Sequence, residues 1–266
     1  MEHSKYKYIY GPVSSWRLGC SLGIDPLSCQ HKTCTFDCIY CQAGKTQVLP
    51  EDRGVFVPTA TLIEELRSLP EVSVDYITFA GNGEPTLAAN LGEMIREVRR
   101  LRKEKIAVIT NASLLDREDV RQDLLLADLV EAKLDAHAAG AFERVNRAMS
   151  GVSLEKIAES LKIFRQIFKG HLALQVMFMA SNKAHAAAIA ALAREIGPDE
   201  VEINTPLRES AVKPLTPETI AEITGIFRRV CGAGIKVRSV YEAGREKSRP
   251  FSQRATEKRR GKENIE

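Results

Sequence analysis

The sequence has no long apolar run and no large excess of charge of either sign. Its longest mildly apolar stretch, AHAAAIAALA at residues 184–193, is about half as long as a membrane-spanning helix must be. The amino-terminal segment MEHSKYKYIYGP lacks the apolar core found in signal peptides. We therefore expect a cytoplasmic protein with no membrane partner.

The charge balance and the composition are those of an ordinary globular protein. The formal net charge is +3, so the field of the whole chain argues neither for nor against an anionic partner. Hydrophobic residues make up 44% and charged residues 27% of the chain, which is ordinary for a globular protein. The length of 266 residues suits one large domain or two small ones.

Short apolar runs alternate with longer helical patterns along the chain. The strand candidates are VDYITFAG (74–81), KIAVITNAS (105–113), DLVEAKLDA (128–136), HLALQVMFM (171–179) and EVEINTP (200–206), with RLGCSLGIDP (17–26) as a weaker one. Their near-continuous apolar character is typical of strands that are buried on both faces of a parallel sheet. Between them, helices are predicted at 59–68, 88–103, 116–125, 153–168, 183–196 and 216–231.

About six βα units in sequence predict a parallel sheet with right-handed crossovers. The pattern alone allows an open doubly wound sheet or a complete or partial (β/α) barrel. In either fold, functional residues lie on the loops after the carboxyl ends of the strands. Polar side chains occur in those places, and the candidates are Asn111, Lys133, Asp135 and Asn204.

The carboxyl-terminal segment differs from the rest of the chain. From about residue 241 to residue 266 the sequence loses apolar periodicity and gains charge. We expect a single core domain over residues 1–240, followed by a flexible tail. The basic run EKRRGK in this tail is either simply solvated or contacts RNA phosphates.

Three cysteines, Cys34, Cys38 and Cys41, lie within eight residues of each other, in the loop KTCTFDCIYCQAGKT (32–46). A structural zinc site takes four ligands, usually as two separated CxxC-like pairs, and no second pair exists here. A thioredoxin-like motif has no third cysteine four residues earlier. Cubane iron–sulfur clusters normally use four cysteines, so three would leave one iron without a protein ligand. An open coordination position is a feature of catalytic metal sites.

The segment CTFDCIYC resembles the CxxxCxxC cluster loop of the radical S-adenosylmethionine (radical SAM) superfamily. The segment FAGNGEPT is similar to the Gly-Gly-Glu-Pro element of that superfamily, although Asn82 interrupts the glycine pair. The stretches GPVSSWRLGCSLGID, YCQAGKT, AKLDA, FERVNRAMSGVSLEKI and EINTPLR resemble its wyosine-synthase-like branch. The resemblance covers roughly residues 10 to 208.

This resemblance implies a partial (β/α)6 barrel whose site lies at the carboxyl ends of parallel strands. It implies one 4Fe–4S cluster on Cys34, Cys38 and Cys41, with S-adenosylmethionine bound at the open iron. Reductive cleavage would yield a 5′-deoxyadenosyl radical that abstracts hydrogen from an RNA base, a peptide or protein, or a small metabolite. The electron would come from a reducing donor such as ferredoxin or flavodoxin.

The resemblance also implies cofactor-binding roles outside the cysteines. Gly83 would allow the backbone to approach the methionine moiety, and Glu84 would accept a hydrogen bond from its ammonium group. Tyr40 would lie against the adenine or pack in the core, and Asp135 would face the nucleoside. Asn111 would contact ribose, carboxylate or substrate.

Lys133 would pair with the cofactor carboxylate, act as a substrate-handling amine, or form a salt bridge at the rim of the site.

The roles of the other three cysteines and the alternative to an enzyme stay open at this point. Cys20, Cys29 and Cys231 are either buried as small apolar residues or ligands of an auxiliary cluster. Wyosine synthases carry three additional cysteines ahead of the main loop, and only Cys20 and Cys29 lie there. The alternative to an enzyme is a non-catalytic iron–sulfur sensor or electron-transfer protein on the same fold.

Overall fold

The computed structural model describes residues 6–48, 52–244 and 248–260. Eight strands form one sheet in the order of the chain. They are β1 (Ile9–Ser15), β2 (Gly19–Ile24), β3 (Tyr76–Phe79), β4 (Lys105–Thr110), β5 (Leu129–Lys133), β6 (His171–Met177), β7 (Glu200–Asn204) and β8 (Lys236–Ser239). The β1–β2 pair is antiparallel, and every pair from β2 to β8 is parallel.

Helices connect the parallel strands. They are α1 (Thr59–Arg67), α2 (Leu91–Leu101), α3 (Glu118–Leu124), α4 (Ala139–Val145), α5 (Leu154–Ile167), α6 (Ala186–Ile196) and α7 (Pro217–Cys231). A further helix, α8 (Gln253–Arg260), follows β8. Each strand from β2 to β7 is followed by at least one helix, which gives six βα units. None of the helices among the described residues is long and apolar enough to cross a membrane.

The strand order decides between the two folds that the sequence allows. A doubly wound sheet reverses its strand order at a switch point, whereas these strands follow one another without reversal. The sheet is therefore a partial barrel, and the predicted fold class is confirmed. Because all the parallel strands point the same way, their carboxyl ends meet at one edge, where the loops can form a common site.

The two faces of the strands differ in polarity. On β5, Val130 and Ala132 belong to the main apolar core together with residues of the surrounding helices. The alternate residue Glu131 lies on the other face, and so does Glu202 of β7, although both are buried. The strands are thus buried on both faces, as predicted, but the inner face of the barrel carries charged groups.

Two helices begin at a residue whose side chain caps the first turn. Ser153 accepts a hydrogen bond from the backbone N–H of Lys156 at 3.3 Å and begins α5. Thr216 accepts one from the N–H of Thr219 at 3.3 Å and begins α7. Each hydroxyl satisfies a donor that the first turn of a helix leaves without a partner.

The strands β1 and β8 and the helices α4 and α8 were not predicted from the sequence. The pairing of β1 with β2 is irregular between Tyr10 and Val13, which breaks the alternation that identifies a strand. Helix α8 lies within the segment for which a flexible tail was expected. It packs on β1 with Ala255, Thr256 and Arg259 buried, a contact surface that apolar periodicity does not signal. Residues 245–247 and 261–266 of the expected tail lie outside the described residues.

Candidate cofactor site at the carboxyl edge of the barrel

The loop that carries the three cysteines connects β2 to α1 and docks on the turn that follows β3. The backbone N–H of Thr33 donates to the carbonyl of Asn82 at 3.3 Å, and the N–H of Glu84 donates to the carbonyl of Thr33 at 3.1 Å. At Gly83 a Cβ would lie 1.9 Å from the Thr33 carbonyl oxygen. Only glycine lets the two backbones approach so closely.

Asn82 stands where the superfamily element has a glycine, and it is accommodated without disturbing the turn. Its backbone N–H donates to Oδ2 of Asp25 at 3.3 Å, while its carbonyl holds Thr33. At the neighbouring Gly81 there is no room for a side chain, because a Cβ there would lie 2.2 Å from Cγ of Asp25. The departure from the glycine pair therefore falls at a position that tolerates a side chain.

Cys34, Cys38 and Cys41 are free thiols, the first buried and the others half-buried. Asparagine amides lie against two of them. Nδ2 of Asn111 is 3.6 Å from Sγ of Cys34, and Nδ2 of Asn146 is 3.6 Å from Sγ of Cys38. Such donors stabilise a thiolate more than a neutral thiol. Asn146 was not predicted, because it follows α4 and lies 108 positions from Cys38 in the chain.

Burial makes these thiols poor acids on their own. It raises the pKa of Cys34, where the charge of Glu84 adds to the effect, and raises the pKa of Cys38 to about 12. A thiol in such surroundings becomes a thiolate only with positive charge against it, and a coordinated metal deprotonates it outright. The buried cysteines therefore fit metal ligation better than free thiol chemistry.

Lys32 places a buried positive charge beside the same cysteines. It is 5% exposed, and its Nζ donates to the carbonyl of Gly44 at 3.0 Å. Burial acts to lower the pKa of this ammonium, but attraction to Cys41 and Cys34 in their thiolate forms outweighs it and the pKa is raised. No motif pointed to Lys32 in the sequence, although it is the second residue before Cys34.

The spacing of the side chains bears on the kind of metal site. Among the described residues, no three His, Cys, Asp or Glu side chains are placed to hold a single metal ion. A cubane cluster makes a different demand, because each of its thiolates binds a different iron and the sulfurs stand farther apart. Three cysteines on one loop with flanking amide donors fit that demand.

Glu84 is buried and its carboxylate is fully used within the protein. Its exposed fraction is 2%. Oε1 accepts from the N–H of Thr86 at 3.1 Å and from the hydroxyls of Thr86 at 2.7 Å and Thr110 at 2.6 Å, and Oε2 accepts from the N–H of Asn111 at 2.7 Å. Burial raises the pKa of Glu84, and the hydrogen bond from Asn111 opposes that rise. These contacts join the turn after β3 to the end of β4.

Asp135, which follows β5, is a second buried carboxylate that accepts several hydrogen bonds. It accepts hydrogen bonds from the hydroxyl of Tyr40, from Nδ2 of Asn146 at 2.8 Å and from the backbone N–H of Met177 at 2.8 Å. Burial and the neighbouring carboxylate of Asp135 raise the pKa of Tyr40 well above its usual value. The tyrosine ring is thus fixed in position by its hydroxyl end.

A cavity of about 290 Å³ lies beside the cluster loop. Tyr40, Gly83 and Lys133 line it together with Cys41, whereas Glu84, Asn111 and Asp135 are not among its lining residues in the described chain. The ammonium of Lys133 stands over the Tyr40 ring, 5.7 Å from its centroid. No acidic side chain of the described residues forms a salt bridge with Lys133. The hypothesis that Lys133 is a salt-bridged residue at the rim of the site is therefore not supported. Asn204 also lines the cavity.

The remaining cysteines are spread over the fold. Cys20 lies near the start of β2, and Cys29 lies beyond its other end, with the length of the strand between them. Cys231, the last residue of α7, is buried against the main core. These positions do not bring the three thiols to one place.

A family model for the radical SAM superfamily matches residues 31–193, which span the cluster loop and the following βα units. The chain belongs to the radical SAM superfamily. Membership implies an enzyme that uses an iron–sulfur cluster and S-adenosylmethionine and that needs a reductant.

Relatives with similar sequences include a UPF0026 protein of Synechocystis, 41% identical over 217 residues that cover 81% of this chain and 80% of that protein. A protein of Brachyspira hyodysenteriae named GTPase Obg is 34% identical to this chain over 257 residues. The aligned part spans only 38% of the length of that protein.

The solved structures show the same fold at low sequence identity. Streptococcus suis SuiB bound to S-adenosylmethionine superposes with a TM-score of 0.62 and 15% identity over 82% of this chain and 49% of that chain. A likeness at this identity concerns the fold, and it agrees with the partial barrel. The wyosine-synthase-like branch stays a prediction.

Proposed function

We propose that the protein holds one 4Fe–4S cluster on Cys34, Cys38 and Cys41 and cleaves S-adenosylmethionine reductively to act on a substrate in the adjoining cavity. One observation carries the proposal. The cysteine loop is docked on the Gly83 turn, and both border the same cavity through Cys41 and Gly83. When bound, the cluster and S-adenosylmethionine supply a 5′-deoxyadenosyl radical that abstracts hydrogen from the substrate.

The lining of the cavity by Tyr40, Gly83 and Lys133 supports direct contact of these predicted cofactor residues with S-adenosylmethionine. Lys133 offers a positive charge to the methionine carboxylate, and Tyr40 offers an aromatic surface to the adenine. Gly83 exposes its backbone to the cavity without a side chain. The reading of Lys133 as a substrate-handling amine is kept as the second role for this residue.

The other three act as positioning residues. Glu84 joins the Gly83 turn to Asn111, and Asn111 in turn donates to the Thr35 hydroxyl at 2.8 Å beside Cys34. Asp135 fixes the hydroxyl end of Tyr40. These contacts support a direct structural role for Glu84 in place of the ammonium contact that the sequence resemblance implied.

The reductant is a ferredoxin or flavodoxin, and the substrate is an RNA base, a peptide or protein, or a small metabolite. The protein acts in the cytoplasm. Its core domain spans residues 1–240, and the part after it contributes helix α8 to the wall of the cavity.

The test is anaerobic reconstitution with iron and sulfide, followed by reduction with dithionite and chromatography of the products. We expect 5′-deoxyadenosine and methionine, formed slowly without substrate, and Cys41→Ala should abolish both. Cys20→Ala, at a half-buried cysteine outside the loop, is the matched control. S-adenosylhomocysteine as the sole product would indicate ordinary methyl transfer. A reducible cluster without any cleavage would favour the sensor or electron-transfer alternative.

A further inference from the structure

Gln175 is a buried amide whose side chain has no hydrogen-bond partner within the described part of the chain. It lies in β6, two residues before the strand ends at Met177, and its exposed fraction is 2%. The residue lines the cavity beside the cluster loop. Buried polar groups normally have a partner, because a donor or acceptor that lacks one is destabilising. We therefore expect the partner of Gln175 in a molecule that fills the cavity.

The neighbours of Gln175 in the sheet do not supply this partner. In the register of the strands, Gln175 pairs with Lys133 of β5 and with Glu202 of β7. The ammonium of Lys133 stands over the Tyr40 ring. Glu202 is absent from the described lining of the cavity, and its buried Oε2 has no hydrogen-bond partner either. Gln175 therefore faces the cavity, whereas Glu202 belongs to the charged layer beneath it.

Several other polar side chains at this end of the barrel are already bonded within the protein. Glu84, Asn111 and Asp135 each hold hydrogen bonds between loops. Asn204 differs from them, because it lines the cavity and uses only one end of its amide. Its Oδ1 accepts from the backbone N–H of Thr205 at 2.9 Å, while its Nδ2 has no partner among the described residues. Two carboxamides therefore face the cavity with unused hydrogen-bonding atoms.

The chemistry of the amide restricts the group that can satisfy Gln175. A carboxamide carries an acceptor oxygen beside an NH2 donor. A carboxylate would leave the oxygen of Gln175 without a partner, and an ammonium would leave its NH2 without one. Apolar side chains, among them Ile109, Met177 and Val240, also line the cavity. In such pockets a few polar groups fix the orientation of the ligand and select it.

The position of Gln175 along its strand favours the substrate over the cofactor. A strand rises about 3.3 Å per residue, so Gln175 lies roughly 6–7 Å below the end of β6. Gly83 and Tyr40, which are expected to contact S-adenosylmethionine, lie on loops beyond the ends of β3 and β2. A molecule that bonds to Gln175 therefore occupies the floor of the cavity, beneath the level of these loops.

We propose that Gln175 recognises the substrate through an amide edge, which is a C=O group beside an N–H group on the same side of the molecule. A primary carboxamide and a ring lactam both present such an edge, whereas a trans amide places the two groups on opposite sides. Asn204, on the neighbouring strand β7, adds a further donor. The inference rests on the proposed function, because the substrate shares the cavity with S-adenosylmethionine.

Saturation-transfer NMR titrations of the reconstituted, oxidised protein, with S-adenosylmethionine present, test the proposal with three neutral probes. Propanamide carries the edge as a primary carboxamide, 2-pyrrolidone carries it as a lactam, and N-methylacetamide is the trans control. Binding of propanamide alone would assign a carboxamide, binding of 2-pyrrolidone alone would assign a lactam, and binding of both would support the edge itself. Gln175→Leu should weaken the bound probe by roughly ten- to a hundred-fold, the loss expected for two neutral hydrogen bonds.

Gln175→Leu also separates ligand binding from a structural role. Replacing an amide that has no partner by an apolar side chain of similar size should leave the urea midpoint of the cluster-free protein unchanged or raise it. Asn146→Leu, which removes an amide that donates to Asp135, should lower the midpoint. Gln122→Leu, at an exposed position of α3, is the matched control for probe binding and should leave it unchanged.

Three results would overturn the proposal. They are failure of propanamide and 2-pyrrolidone to bind, binding of N-methylacetamide with equal affinity, and a lower urea midpoint for Gln175→Leu. Weaker binding of S-adenosylmethionine by Gln175→Leu would assign the amide to the cofactor and would overturn the proposal as well. Release of 5′-deoxyadenosine by the unmodified protein separates these outcomes from failure of the proposed function, which would instead show as no cleavage.

Discussion

The carboxylate of Glu84 accepts a hydrogen bond from the backbone N–H of Asn111 at 2.7 Å, and this contact ties the turn after β3 to the end of β4. Asn111 then reaches the loop of the cysteines through Thr35. One buried carboxylate therefore connects three successive loops at the edge of the barrel. These hydrogen bonds hold the loops of the candidate site together without a bound ligand.

Glu84→Gln should lower the free energy of unfolding by about 1–3 kcal/mol, because the amide NH2 of glutamine would face a buried donor that the carboxylate now satisfies. Urea unfolding of the cluster-free protein measures the change. Glu93→Gln, at an exposed position of α2, should have almost no effect. Unchanged stability together with weaker S-adenosylmethionine binding would instead support the ammonium contact that the sequence resemblance implied.

Replacement of Cys34, Cys38 or Cys41 by alanine should abolish the cluster absorbance after anaerobic reconstitution. Each thiolate is expected to bind its own iron, so the loss of one leaves the cluster with too few ligands. Cys29→Ala should retain full iron and sulfide content, since Cys29 lies before the loop and its thiol donates to the carbonyl of Leu27. A cluster lost only in Cys20 or Cys29 variants would contradict the assignment.

Lys32→Met should make the cluster harder to reduce. The buried ammonium offsets negative charge at the cysteines, and reduction adds one more negative charge there. Removing one nearby unit charge should lower the ratio of reduced to oxidised cluster at a given potential by roughly tenfold. A redox titration followed by electron paramagnetic resonance measures this ratio, and Lys32→Arg should stay close to the unmodified protein. Equal ratios in all three proteins would show that Lys32 only packs.

Glu200 should make stability depend on pH in the acid range. Burial works against its ionised form, but hydrogen bonds from His171 and Arg238 outweigh it and lower the pKa to about 2 from 4.5. A lowered pKa in the folded state stabilises the protein above the unfolded value, and this stabilisation is lost as the pH falls from about 4.5 toward about 2.

Urea unfolding between pH 6 and pH 3 compares the unmodified protein with Glu200→Gln. At pH 6 the variant should be less stable by about 1.5–3 kcal/mol, the value of a hydrogen bond to a charged group. The difference should shrink as the pH falls. Glu222→Gln, at an exposed position of α7, is the control, and a difference independent of pH would contradict the role assigned to Glu200.

The sequence was sufficient where the signal is local. The three cysteines are close in the chain, and the apolar runs predicted β2 to β7 within a few residues. Glu84 was predicted as a functional residue, but its partners Thr110 and Asn111 are 26 and 27 positions away. Only the pairing of β3 with β4 brings them together, so no pattern within the turn distinguishes a structural carboxylate from one that binds a ligand.

The interior charges and helix α8 could not be predicted for a related reason. Arg17 and Glu131 are 114 positions apart and meet inside the barrel. Each looks like an ordinary surface residue in its own segment. Helix α8 has few apolar residues, and its buried contacts include the polar Thr256 and the ion pair of Arg259 with Asp25.

The contact of Arg259 with Asp25 joins positions separated by 234 residues. The backbone contacts of the cysteine loop reach no farther along the chain than residues 145–149, whereas the wall of the cavity is completed by helix α8, more than 100 residues later. During translation the metal-binding loop can thus form long before the chamber beside it is closed. A nascent chain that acquired its cluster early would hold the cluster beside an incomplete cavity. Solvent and oxygen could then reach the cluster until residue 259 had been synthesised.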